Sequence, residues 1–413
     1  MKQLVKSALS LLFFITVHAQ EIIYIEQQQT SAMPLFIGVI GESKDFLYLV
    51  TTLKNDLEWS NQFTVTINNF ACPSTKKEVL SLFDAGYPLV LFLSQEKDTL
   101  IWRLYDATQA LMVKGKKYLK QQVPVHRLAH ALAHDIWFEL TGNKSPFLTK
   151  IAYIDNTLKK NKKETTICLC DYSGADKEIL LAPTTISIAP HWNNNIHEPL
   201  LLYSEFTAHN VRLMALDMHG NKRVVLDVDG TSVGLSYDPK SSDVVYCRSG
   251  ELWHFHYDPI QKKSIHRLVI KEKEASASPT LRANGDIIYC SQGIIKYYHA
   301  DTKHSEKLTH EGYCVAPTFS EVNGLVAYSK RVKGTMQLFL YNLTSHQHEQ
   351  ITFDAVDKMD GSWSPCGQYI VFCYDNGKAS RLATINIMTH VRYYITPASA
   401  DCSYPAWSPL FEH

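Results

Sequence analysis

The sequence predicts a small α/β domain followed by an all-β six-bladed β-propeller. Three observations predict it. An apolar-apolar-aromatic triplet recurs every 39–50 residues from position 151 onward. A second column of bulky residues stands eight to eleven positions before the aromatic of each later triplet. Between residues 36 and 142, helix-period segments alternate with short apolar runs.

The elements follow in chain order. Met1–Gln20 carries Lys2 and Lys6 ahead of a mostly apolar stretch, Ala8–Val17, and small residues up to Ala19. This is the pattern of an export signal cleaved after residue 19. The apolar stretch is shorter than the ~20 residues a spanning helix needs, which disfavours a retained anchor. Residues 20–33 form an arm in which Glu21, Ile22, Ile23, Tyr24 and Ile25 start as an edge strand before a polar Gln27–Ser31 continuation. It reads either as a frayed terminus or as a segment that adds to a partner as a strand.

Residues 34–142 read as the α/β domain. Phe36–Ile40 is an apolar run, and Phe46, Leu49, Val50, Leu53 and Leu57 mark one helix face. Phe63–Ile67 is a strand, Thr75–Ala85 a helix and Leu89–Leu93 a buried strand. Leu100–Tyr105 and Ala110–Val113 flank a hairpin turn, and Val125–Leu140 is a helix stopped by Gly142. Residues 143–149 serve as the linker, where Pro146 prevents helix continuation.

From residue 150 to 413 the repeat takes over. The triplets are Ile151-Ala152-Tyr153, Leu201-Leu202-Tyr203, Val244-Val245-Tyr246, Ile287-Ile288-Tyr289, Val326-Ala327-Tyr328 and Ile370-Val371-Phe372. The second column is Trp192, Tyr237, Leu281, Phe319, Trp363 and Trp407. Period-two runs such as Gln337–Asn342, bounded by Gly, Pro and Asn, are strands, and four strands per repeat make a propeller blade. Tyr153 has no column residue before it and Trp407 has no triplet after it. Tyr404–Pro409 therefore supplies the missing first strand of the blade begun at Ile151, which closes the ring and removes two open edges.

Composition narrows the function. Lys+Arg and Asp+Glu both number 41, and no basic tract interrupts the chain, so the cationic footprint of a nucleic-acid binder is missing. Nine cysteines leave at least one unpaired in an oxidising compartment. They read as buried free thiols, and no specific disulfide is expected. Gly230-Thr231-Ser232-Val233-Gly234 matches G-x-S-x-G, but it falls between propeller strands with no hydrolase domain after it. His126, His130 and His134 line one helix face at i, i+4 and i+8. Such spacing can chelate a metal, yet there is no Glu between them, and the stripe reads as a face packed on the sheet or the propeller. His191, His254 and His256 are scattered over strand positions and suggest no site. No catalytic residue, metal ligand or cofactor is assigned.

The parts together resemble the TolB family of Tol–Pal components. The resemblance rests on the export signal, the domain order, the join His130…Phe138…Leu140-Thr141-Gly142…Lys150-Ile151-Ala152-Tyr153, the Pro34-Leu35-Phe36-Ile37-Gly38-Val39 run and the closing Pro405-Ala406-Trp407-Ser408-Pro409. The sequence departs from the family's Trp-Ser-Pro-Asp-Gly repeat, which only Trp363-Ser364-Pro365-Cys366-Gly367 approaches, and Thr231-Ser232-Val233-Gly234 replaces the family's His and small-residue pattern. The resemblance implies a periplasmic scaffold without chemistry of its own. It would bind a Pal-like lipoprotein on the propeller and a TolA-like inner-membrane protein through the arm, supporting outer-membrane integrity and cell division, with no membrane insertion after signal cleavage. The expected propeller surface is the channel mouth, where the best candidates form a ring just before the second column: Ala189, Gly234, Ser278, Ala316, Asp360 and Tyr404. Small residues at four of the six would let a partner's loop reach the backbone, and tight packing near the axis explains the same choice. The alternative is an exported propeller enzyme acting on a sugar or quinone, which needs acids, histidines or a cofactor cluster converging in the channel.

Overall fold

The computed structural model describes residues 32–119, 124–159, 162–182, 186–193, 197–228, 234–238, 243–258 and 263–411. The expected export signal and arm residues Glu21–Ile25 lie outside these, as does Ser232.

The α/β region consists of Met33–Ile40 (β1), Lys44–Trp59 (α1), Phe63–Asn69 (β2), Lys76–Asp84 (α2), Leu89–Glu96 (β3), Thr99–Asp106 (β4), Leu111–Leu119 (β5) and Val125–Thr141 (α3). The sheet order is β2-β1-β3-β4-β5, with β1 parallel to β2 and β3. β3, β4 and β5 form an antiparallel meander. β1 is central and buries Phe36 and Ile37 on opposite faces, which is why it reads as a continuous apolar run. Ser43 starts α1 by accepting a hydrogen bond from the Phe46 amide at 3.2 Å. Gly142 ends α3 in the left-handed conformation, φ +69°, with its N–H on the Phe138 carbonyl. The hairpin differs from expectation: its second strand runs on to Leu119. Lys114 and Lys116 of that extension reach Glu139 at 2.9 Å and Asp135 at 2.7 Å on α3.

Six four-stranded antiparallel sheets follow. Blade I combines Lys150–Lys159, Lys162–Asp171 and Glu178–Leu181 with the tail strand Cys402–Trp407. Blades II to VI begin with inner strands Ile186–Trp192, Leu235–Tyr237, Ser276–Leu281, Cys314–Ser320 and Asp357–Trp363. The closure is the one the two incomplete columns require. Trp407 pairs with Ile151, Ala406 with Ala152 and Cys402 with Asp155. Ser408 exchanges two hydrogen bonds with the backbone of Lys150, both 2.8 Å. The triplet aromatics Tyr153, Tyr203, Tyr246, Tyr289, Tyr328 and Phe372 are at most 2% exposed. Each sits on the second strand of its sheet, where the blades press together, so the repeat needs one large ring there.

All nine cysteines are free, and all but Cys72 are buried. Burial pushes the Cys168 thiol up to about 11 and the Cys402 thiol up to about 12, which keeps them protonated.

The two regions share one core. Trp59, Trp137, Phe147, Tyr153, Tyr172, Tyr369 and Trp407 belong to a single apolar cluster. Residues 143–149 take part in it: Ser145, Phe147 and Thr149 are buried, and the Trp407 indole N–H donates to Thr149 Oγ1 at 2.7 Å. The segment between the domains is a packed wedge.

Candidate functional site

The propeller axis is built by the inner strands. In five of them the pairing with the next strand slips, between Ile188 and His191, Ala277 and Thr280, Val315 and Thr318, Met359 and Ser362, and Ser403 and Ala406. The extra residue of each bulge turns the backbone left-handed: φ is +51° at Ala189, +49° at Ser278, +49° at Ala316, +55° at Asp360 and +50° at Tyr404. Gly234, φ +86°, occupies the corresponding place before the short strand of blade III. All six residues of the expected ring thus share one backbone feature, and all six are half-buried. The bulge gives a conformational reason for the small residues, because a side chain at positive φ crowds the following carbonyl. Neighbouring ring positions touch: a Cβ on Gly234 would stand 3.4 Å from Ser278 Cα.

Hydrogen bonds between successive inner strands hold the ring. The Trp192 indole donates to Ala406 O at 3.0 Å and the Trp363 indole to Thr318 O at 3.3 Å. Thr280 Oγ1 donates to Pro317 O at 2.8 Å, the Leu281 amide to Ser236 Oγ at 2.9 Å and the Trp407 amide to Ser362 Oγ at 2.9 Å. The second column was chosen by size in the sequence; in two blades its indole also bolts one blade to the next.

Asp360 is the one charged member of the ring. Burial raises its carboxyl to about 6, and among the described residues no cation offsets that effect. Cys373 Sγ stands 4.0 Å from its Oδ2. Lys358, two residues earlier, turns its ammonium away, onto the carbonyls of Asp354 at 2.8 Å and Val356 at 2.6 Å and the side chain of Asp354.

A second polar cluster lies where α1 and α3 meet blade I. His130 Nδ1 is 2.8 Å from Asp56 Oδ2, and its Nε2 is 3.5 Å from Asp171 Oδ2. The Tyr172 hydroxyl donates to Asp56 Oδ1. Burial alone would lower the imidazole, but its hydrogen bonds to Asp171 and Asp56 hold it at about 9. His126 reaches Asp176 at 2.5 Å and His134 reaches Ser145 at 2.8 Å. The histidine stripe of α3 is therefore a domain-junction face. Trp59 at the end of α1 packs on Tyr172, Tyr369 and Tyr393, and Tyr369 donates to Ser60 O at 3.1 Å. Asp56 and Tyr172 were not singled out in the sequence. The available signal was an acid, Asp56, next to Leu53 and Leu57 on an apolar helix stripe.

His254 and His256, expected to be scattered, share Asp243, with His254 Nε2 at 2.9 Å from Oδ2. They are two apart on one strand and so face the same way. His254 and Asp243 line a cavity of about 260 Å³ between blades III and IV. Among the described residues, no group of three or more His, Cys, Asp or Glu side chains is arranged to hold a metal ion. No helix of the described residues is long and apolar enough to cross a membrane.

The family model for the TolB beta propeller domain matches residues 137–411. The Tol-Pal system protein TolB of Rickettsia africae is 26% identical over 259 residues, covering 59% of this chain and 57% of that protein. That of Geobacter sulfurreducens is 31% identical over 117 residues, covering 28% and 25%. The matched stretches thus span a quarter to just over half of these relatives. The crystal structure of TolB from Acinetobacter baumannii superposes with a TM-score of 0.78 at 18% identity, covering 93% of this chain and 98% of that one. At that identity the likeness is one of fold.

Proposed function

The chain belongs to the TolB beta propeller family, and from that premise we propose that it is a periplasmic scaffold of the Tol–Pal envelope complex that acts by binding proteins. The axial ring receives a Pal-like peptidoglycan-associated lipoprotein, with Ala189, Gly234, Ser278, Ala316, Asp360 and Tyr404 as the contact positions. The arm, Glu21–Ile25, engages a TolA-like inner-membrane protein by strand addition. The exported protein links envelope layers and so supports outer-membrane integrity and cell division, without a cofactor or a reaction of its own.

One observation carries this reading: six blades each bring a half-buried residue of left-handed backbone to the axis, and only one of the six bears a charge. That ring suits a protein loop approaching backbone. A sugar- or quinone-acting enzyme needs several converging acids or bases, and the ring has one carboxylate.

The test is affinity purification of the tagged mature chain from envelope extracts of its own cell. The expected result is recovery of a lipoprotein with a peptidoglycan-binding domain, and recovery of a TolA-like protein that is lost when residues 20–31 are deleted. Absence of the lipoprotein, or a TolA-like protein retained after the deletion, contradicts the corresponding half of the proposal.

A further inference from the structure

We infer that Asp360 sets the charge preference of the axial ring by pairing with a lysine ammonium or arginine guanidinium on the loop of the protein that docks there. The inference rests on the reading of the ring as a docking surface and names the chemistry it selects.

Asp360 serves no visible purpose in the fold. Its strand neighbour Lys358 is committed elsewhere, to Asp354, Val356 and Gln337. Among the described residues, the titratable groups that face it are Cys373 on the adjacent strand of its own blade and Tyr404 on blade I. Burial pushes both of these up, so they remain neutral and offer no compensating charge. The remaining ring positions carry no charge. A docked loop would strip the last water from an already half-buried carboxylate, which is unfavourable unless the loop brings a cation. The penalty falls at one angular position, between blades VI and I, so the same residue fixes the register of the partner on the ring as well as its charge.

Raising of the carboxyl by burial to about 6 adds a direction. Asp360 is ionised at pH 7.5 and becomes protonated as pH falls through 6, so affinity for a cation falls with it.

The experiment is calorimetric titration of the mature chain with the soluble domain of the same organism's peptidoglycan-associated lipoprotein, at pH 7.5 and pH 5. Three variants are compared: Asp360→Asn, Asp360→Glu and Ala316→Trp. Asp360→Asn is expected to weaken binding about 30-fold or more at pH 7.5 and to abolish the pH dependence, with Asp360→Glu retaining part of both. Its melting temperature should equal or exceed that of the parent, because the change removes an unpaired desolvated charge, so the weaker binding is not unfolding. Ala316→Trp, which fills the ring without touching the charge, should block binding. If Ala316→Trp blocks binding while Asp360→Asn binds like the parent, the ring reading stands and the assignment of Asp360 is overturned. If Ala316→Trp also leaves binding intact, the ring reading fails and takes this inference with it.

Discussion

Two buried carboxylates divide the molecule. Asp56, at the junction of the α/β region and the propeller, is 2% exposed and bonded by His130 and Tyr172. Asp360, at the propeller axis, is half-buried, and the groups that face it, the Cys373 thiol and the Tyr404 hydroxyl, are neutral. Both sit among aromatic and small side chains, and both arrived there by long-range topology. Where the fold supplies the counter-charge, the result is architecture: α1, α3 and blades I and VI lock together around Trp59. Where no counter-charge stands among the described residues, the carboxyl is raised by burial alone, and it is the group we infer to meet a partner's cation.

The largest effect belongs to the junction. Asp56→Ala leaves a buried imidazolium and the Tyr172 hydroxyl without their acceptor and should cost about 3–5 kcal/mol in urea unfolding. A loss below about 1 kcal/mol would mean that the junction is no better satisfied than the axis.

The next effect is in pH. His130 is held at about 9 in the folded chain, above the ~6.5 of an unfolded histidine. Its contribution to stability is therefore complete below about pH 6.5 and is lost as pH rises through 9. The melting temperature should fall by about 2–4 °C between pH 6.5 and 9.5, and His130→Asn should remove that slope. A parent protein with a flat melting temperature over the same range would break the comparison.

The smallest effect sharpens the axis. Ala316 holds φ +49°, and Ala316→Gly should stabilise the fold by about 1 kcal/mol or less by relieving left-handed strain. Destabilisation by a similar amount would show that the methyl group, and not the bulge, is what the position requires.

The blades and their closure were legible because burial of one ring per sheet imposes a period that a single sequence displays. Tyr153 through Phe372 mark it, and the unmatched Tyr153 and Trp407 reveal how the ring is joined. The ring positions were legible as a column of mostly small residues, but their left-handed bulges were not. Ala, Ser, Asp and Tyr adopt positive φ here at slips in the strand pairing, which depend on partners far away in the chain. The junction was hidden for a different reason. Asp56 and Asp171 lie 115 residues apart, and a carboxylate beside an apolar stripe is ordinarily solvated, so nothing local announces that Tyr172 and His130 will cover it. The wedge at 143–149 was hidden in the same way, since Asn, Lys, Ser and Pro read as solvent-facing whatever they pack against.

Under the proposed function, the axial ring is the surface at which a partner docks. It can be checked by hydrogen–deuterium exchange of residues 20–413, alone and with the soluble domain of the proposed Pal-like lipoprotein. The account predicts slowed exchange in the inner-strand segments around Ala189, Gly234, Ser278, Ala316, Asp360 and Tyr404, with the outer strands unchanged. Protection confined to the outer strands or to the α/β region would contradict it.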